Sequence, residues 1–326
     1  LCDSHLLLFY CILNRIGTMC KECDVGLTES LNLDNDLMID FLVEHEVFKS
    51  EINCPECTSL LQLNKESLNY YCLKLEGVED KRRQNCNKEI SARVGTLFEN
   101  CDLNINVYWQ FVTLLLHLRP PRYELFREEL GLSNRLINDL YSLSRNVLIN
   151  DCLENSEKLG GSSKYVEVES SLDKLKFKKT SIHILVLSGI EIESKKSFFT
   201  DIENPEPANI IAVLKTWILP NTIVVTDCSK IYSCLDDKQF LEYTIESSVN
   251  FVKPEMISQY NKSMARTWRE VSISSMPSCK SNPSGFLAEY QFKRKYTRLQ
   301  RLHYFFKAAG HFNQHSLKKE PGSEGS

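Results

Sequence analysis

Thr222-Ile223-Val224-Val225-Thr226-Asp227-Cys228-Ser229-Lys230-Ile231-Tyr232 decides the fold. A β-favouring apolar run ends on a carboxylate, and the sequence passes directly into a helical pattern from Ser229. An acid at that junction is either an oxygen ligand for a metal ion or a cap for the helix amides. Working outward, the neighbouring segments alternate in the same way. Residues 165–169, 182–190 and 197–201 read as strands, 207–217 as a helix, and 223–227 as a strand, with a further strand near Tyr243. Residues 256–272 and 283–306 read as helices. The expected class is α/β, a mixed sheet with flanking helices.

Upstream, residues 107–118 form an apolar helix stopped by Pro120-Pro121, because proline lacks an amide donor and restricts its predecessor. Residues 122–130 and 135–149 give two more helices around the turn Gly131-Leu132-Ser133-Asn134, a helix-turn-helix pattern. In that pattern Ser133, Asn134, Arg135 and Asn138 stand where base edges of DNA are met, and a plain helical hairpin is the competing reading. Residues 35–48 place Leu37, Phe41, Leu42, Val43 and Phe48 at near-helical spacing after an Asp/Asn-rich start.

Gly160-Gly161-Ser162-Ser163 reads as a flexible boundary. The chain then divides into an unassigned segment 1–34, a metal-stapled unit 35–100, a helical unit 101–156, an α/β domain 164–310 and a disordered Gly/Ser/Lys/Glu tail 311–326.

A length of 326 residues with 42% hydrophobic residues allows real cores, and a net charge of −4 excludes a polybasic protein that coats nucleic acid through bulk charge. The 13 cysteines are scattered without the spacing of a disulfide framework, which points to a reducing compartment, nuclear or cytoplasmic. Residues 6–13 are apolar but too short to span a bilayer, so no membrane partner is expected.

Cys54-Pro55-Glu56-Cys57 is a tight turn that offers two thiolates to one metal, and Cys72 and Cys86 complete a four-cysteine set although thirteen residues separate them. The strand-like run 68–72 carries Cys72. Cys20-Lys21-Glu22-Cys23 repeats the spacing without an evident second pair and reads as free thiols. His117 and His183 lie in apolar segments and read as core residues, as do Trp109, Trp217 and Trp268.

The run from Cys86 through Ser91, Arg93, Gly95 and Thr96 to Phe98 resembles the segment leaving the zinc ribbon of Merlin-type DDE transposases and their bacterial insertion-sequence relatives. There a last cysteine precedes a Ser-x-Arg-x-Gly-Thr-x-Phe pattern. Val166-Glu167-Val168-Glu169, the Asp227 run and Leu287-Ala288-Glu289 resemble three further pieces of that family in the same order, over residues 38–296.

The resemblance implies a zinc ribbon and a ribonuclease H-like domain whose carboxylates hold two Mg²⁺ or Mn²⁺ ions that cut and join DNA. It also implies departures. Glu169 stands at the first acid in place of Asp, Asp227 is kept, and alignment on Trp268 puts Ala265 at the third acid, with Asn261 as the nearest oxygen ligand. Glu246-Ser247 replaces an Asn-His pair.

The expectation is a transposase-derived protein that binds double-stranded DNA, with vestigial Glu169, Asp227 and Asn261 and no small-molecule substrate. An active transposase using those three residues and a protein-interaction scaffold are the alternatives, and self-association is open. Lys293, Arg294 and Lys295, with Arg298 and Arg301, form a basic stripe that meets phosphates or solvent.

Overall fold

Local chemistry sets where the first long helix begins and ends. Asp34 accepts a hydrogen bond from the Asp36 amide and opens a helix that stops at Glu44, where His45 caps it and Glu46 turns to a φ of 61°. The computed structural model describes residues 23–73, 86–99, 103–118, 123–171, 185–202, 206–225, 250–252 and 283–317. Among them are eight helices and two sheets, a mixed α/β chain.

The elements are α1 (Leu27–Leu31), α2 (Asn35–Glu44), β1 (Glu51–Asn53), β2 (Leu60–Asn64), β3 (Asn69–Cys72), β4 (Lys88–Ser91), α3 (Ile105–His117), α4 (Tyr123–Leu130) and α5 (Asn134–Asn155). Then follow β5 (Tyr165–Ser171), β6 (Leu185–Glu191), β7 (Ser197–Ile202), α6 (Pro207–Trp217), β8 (Ile223–Val225), β9 (Asn250–Val252), α7 (Pro283–Lys295) and α8 (Arg301–Leu317).

The chain divides into two units, one of Leu1–His117 with Thr297–Ser326 and one of Leu118–Tyr296. In the first, β1 to β4 form an antiparallel meander in chain order. Its helices meet on an aromatic core. Trp109 stacks on Phe306 at 5.1 Å, Phe41 meets both edge-on, and the Trp109 indole donates to Ser30 O at 2.9 Å. His117 is a core residue as expected, with its ring nitrogens on Thr113 O and Val25 O.

The second unit carries a five-stranded sheet in the order β7-β6-β5-β8-β9. β5, β6 and β7 pair antiparallel, whereas β5–β8 and β8–β9 pair parallel. Alternation along the strands gives the sheet two buried faces. Val166, Val168, Phe198 and Val224 pack with Ile210 and Leu214 of α6 on one face. On the other, Phe199 meets Tyr290 of α7 edge-on at 5.5 Å. Gly189 lies opposite Phe198, and a Cβ there would stand 2.2 Å from the Phe198 ring, so only glycine leaves room for that ring to stack on Trp217.

Three expectations are corrected. Residues 283–306 are not one helix: α7 ends at Lys295, and Thr297-Arg298-Leu299-Gln300 is a capping-box sequence in which the Thr297 amide and hydroxyl both reach the Gln300 side-chain carbonyl. Residues 311–317, expected to begin a disordered tail, continue α8, since no proline or glycine interrupts the helix there. Gly160 and Gly161 serve close approach rather than flexibility. At φ values of 88° and 112° they donate to Glu191 Oε2 and Thr222 Oγ1, and a Cβ on Gly160 would lie 2.2 Å from that Thr222 oxygen.

Asp227, the helix from Ser229, the strand near Tyr243, the helix 256–272 with Asn261, Ala265 and Trp268, and also His183, Cys20 and residues 6–13 lie outside the described residues. No helix among the described residues is long and apolar enough to cross a membrane.

Candidate metal centre

Cys54 leaves β1 and opens a knuckle in which the Thr58 amide bonds back to Cys54 O and the Cys54 amide to Ser59 O, both at 2.9 Å. Thr58 takes a φ of 56°, and the turn brings Cys57 round beside Cys54. The other two thiols come from the β3–β4 ladder. Antiparallel pairing sets Cys72 opposite Lys88, so Cys86, two residues before Lys88, returns to the same end of the meander whatever the loop length between them. The thirteen-residue spacing in sequence is thus compatible with one centre, and all four Sγ atoms gather within 4.8 Å of one another.

The Cys57 and Cys72 sulfurs lie 3.3 Å apart and those of Cys54 and Cys86 3.7 Å apart. Zinc–sulfur bonds of about 2.3 Å at tetrahedral angles separate sulfurs by roughly 3.8 Å, so the cluster already stands close to ligand spacing. The four cysteines can hold a metal ion, and the set is compatible with structural zinc.

The electrostatics of the thiols fit that role. Hydrogen bonds from the Ser59 side chain and backbone, and then from Cys72, draw the Cys57 thiol down to about 6. Desolvation, followed by the neighbouring Cys72, Cys54 and Cys57 sulfurs, pushes Cys86 far up. One thiolate forms readily and raises the cost of the next, and a divalent cation at the centre removes that opposition. Around the group, Lys88 pairs with Glu56 at 2.8 Å.

The run after Cys86 builds a turn rather than a reactive site. Gly95 takes a φ of 71° and donates its amide to Glu99, the Thr96 hydroxyl donates to Arg93 O, and Arg93 reaches Leu103 O at 3.0 Å. Phe98 is buried and stacks on Phe48 at 5.5 Å.

On the remaining expected sites the geometry is plain. Ser133 caps α5 by accepting from the Leu136 amide, Asn134 and Arg135 are exposed at its start, and Asn138 is exposed and accepts from the Tyr123 hydroxyl. Within the basic stripe, Lys293 is drawn into a buried cluster, 2.7 Å from Glu289 Oε1, while Arg145 donates twice to Glu289 Oε2 at 2.9 and 3.1 Å. Burial alone would raise the Glu289 carboxyl, but Lys293 and Arg145 outweigh it and hold it below the usual carboxylate range. Lys295 donates to Asn155 O, and Arg294 reaches the Tyr290 hydroxyl.

On β5, Glu167 is buried and pairs in register with Val225 of the parallel β8. Glu169 is half-buried, and its carbonyl accepts from the Ser188 hydroxyl at 3.0 Å.

A second cluster, which the sequence reading did not gather, joins Cys23 to His45 and His303, with their ligand atoms also within 4.8 Å of one another. Cys23 follows from the Cys-x-x-Cys spacing read as free thiols, and no sequence signal ties it to histidines 22 and 280 positions away. Burial, only partly countered by the bond to Phe41 O and reinforced by His303 and Lys307, lowers the His45 imidazole to about 4.

No protein-family model matches the chain, and no curated protein matches it.

Proposed function

We propose that the chain is a transposase-derived protein that binds double-stranded DNA, with a zinc ribbon in its first unit and, in its second, a ribonuclease H-like domain whose two-metal site is degraded. The observation that carries this reading is the β5–β8 register. Two parallel strands present their carboxyl ends at one edge of the sheet, the edge where α/β sheets collect ligands. The ladder pairs Glu167 with Val225. In the sequence Glu169 follows Glu167 by two residues, as Asp227 follows Val225 by two.

The mixed sheet with helices on both faces and the four-cysteine meander support the same reading. Glu169 and Asp227 brought together would be only the beginning of a two-metal site, because cutting DNA needs the ions held by more oxygen ligands than these. Glu169 is one methylene longer than the Asp it replaces, and Ala265 offers a methyl group where a third acid belongs. The activity left is binding.

DNA contacts fall to local basic and polar groups, with Arg135, Asn134 and Asn138 at the start of α5 as the base-facing candidates and Arg294 and Lys295 as phosphate-facing ones. A reducing nuclear or cytoplasmic setting keeps the cysteines available to zinc.

Fluorescence anisotropy of a labelled duplex across a salt series tests the proposal. Affinity must fall linearly on a log–log scale as salt rises, because each neutralised phosphate releases counterions. Absence of binding at low salt would favour a protein-interaction scaffold. Mn²⁺-dependent nicking of the duplex that disappears in Asp227→Ala would overturn the degraded site.

A further inference from the structure

We propose that Cys23, His45 and His303 form a second zinc site, separate from the four-cysteine centre and independent of the DNA-binding reading. The three side chains come from the segment before α1, the cap of α2 and the first turn of α8, and they converge on one point. Cys23 Sγ stands 3.5 Å from His45 Nε2 and 3.3 Å from His303 Nδ1, and the two ring nitrogens are 2.9 Å apart. Zinc with nitrogen at about 2.0–2.1 Å and sulfur at about 2.3 Å spaces such ligand atoms roughly 3.4–3.6 Å apart. The 3.5 Å sulfur–nitrogen edge matches this already, the 3.3 Å edge falls just short of it, and the nitrogen–nitrogen edge reaches it with a shift of about half an ångström.

The tautomer of His45 favours the same use. Its Nδ1 lies 2.7 Å from Phe41 O, a backbone acceptor, so Nδ1 carries the proton and the Nε2 lone pair faces the cluster. Donation of the far ring nitrogen to a backbone carbonyl is how proteins orient an imidazole toward a metal. The ring is also braced, stacked on Phe41 at 3.9 Å and edge-on to His303 at 4.9 Å.

The supporting shell is rigid. A Cβ on Gly310 would lie 2.4 Å from His45 O, so α8 approaches the end of α2 backbone to backbone, and glycine is what allows it. On the other side, the Val25 amide donates to Leu299 O at 3.0 Å and Val25 O accepts from His117, which fixes the chain two residues from Cys23. The C-terminal end of α2 carries partial negative charge beside the cluster, which favours a cation. One thiolate and two imidazoles are a ligand set that selects zinc, with a fourth position left for a further ligand.

The test is zinc content of the full chain, purified under reducing conditions and saturated with Zn²⁺ alone, together with the Co²⁺ spectrum of the same preparations. Two zinc ions per chain are expected. Cys23→Ser and His303→Gln should each bind one, and so should the double variant Cys54→Ser/Cys57→Ser, while the combination of both lesions binds none. Both conservative changes keep a hydrogen-bonding group, so a merely hydrogen-bonded triad would tolerate them with metal content unaltered. Circular dichroism screens for misfolding, and the double variant provides a second route: its Co²⁺ adduct must show tetrahedral bands with the intensity of a single thiolate. One zinc in the unaltered chain, two zinc ions retained in Cys23→Ser and His303→Gln, or a Co²⁺ adduct of the double variant without tetrahedral bands each overturns the proposal.

Discussion

The two units deal with buried acidic groups in opposite ways. The first gathers four thiols, groups that carry the same sign when ionised, into one corner of its meander. The second keeps two of its buried carboxylates apart and gives each a cation of its own: Arg145 and Lys293 for Glu289, and Lys164, with the Gly160 amide as a further donor, for Glu191. A like-charged cluster needs a cation from outside, whereas an internally matched acid needs only to stay ionised. The first unit is therefore expected to depend on metal supply and the second on pH.

The largest expected effect tests the first half of that contrast. Zinc binding to a site absent from the unfolded chain is folding free energy, about 10–16 kcal/mol for zinc-finger peptides at neutral pH. Chelation, or Cys57→Ser, should abolish amide-exchange protection across β1 to β4 and leave β5 to β7 protected. Equal loss in both units would break the comparison.

The next effect belongs to the second unit. Glu289→Ala strands the buried Arg145, 3% exposed, and should cost about 3–5 kcal/mol in urea unfolding with zinc content unaltered. The same pair predicts acid sensitivity. Because the folded carboxyl titrates below its unfolded value of about 4.3, its contribution is complete above that pH and is lost as pH falls through the lower folded value. Stability of the second unit should thus decline below about pH 4.3 in wild type, and by less in Glu289→Ala. A decline equal in both would assign the acid sensitivity elsewhere.

Smaller changes sharpen the contrast without touching charge. Gly189→Ala drives a methyl into the Phe198 ring and should cost about 1–3 kcal/mol. Ser133→Ala removes the cap of α5 and should cost about 1 kcal/mol, read as a shift of the urea midpoint at constant slope.

What was legible follows the same division. The Cys54–Cys57 knuckle and the strands 165–169 and 197–201 are local patterns, and local backbone chemistry realises them as β1's turn, β5 and β7. Pro207 at the first helical position likewise fixes α6 at the expected ends. The Cys72–Cys86 partnership was half legible, because a two-residue period marks strands but the ladder that joins them is tertiary.

The break between α7 and α8 was written in Thr297 and Gln300, yet apolar periodicity on both sides concealed it. Gly160-Gly161 carried a linker's composition while its backbone served a buried crossing. The pairing of Cys23 with His45 and His303 had no local signal, since its geometry comes from the packing of α8 on α2.

The grouping of α8 with the first unit has a consequence for biosynthesis. Residues 118–296 are made between α3 and α8, so a nascent chain emerging from the ribosome exposes Trp109 and Phe41 long before Phe306 arrives to cover them. Of the two units, the one whose synthesis starts earlier is completed later. Until α8 is released, that aromatic surface lacks its Phe306 cover, and a premature stop codon before Arg301 would leave it so.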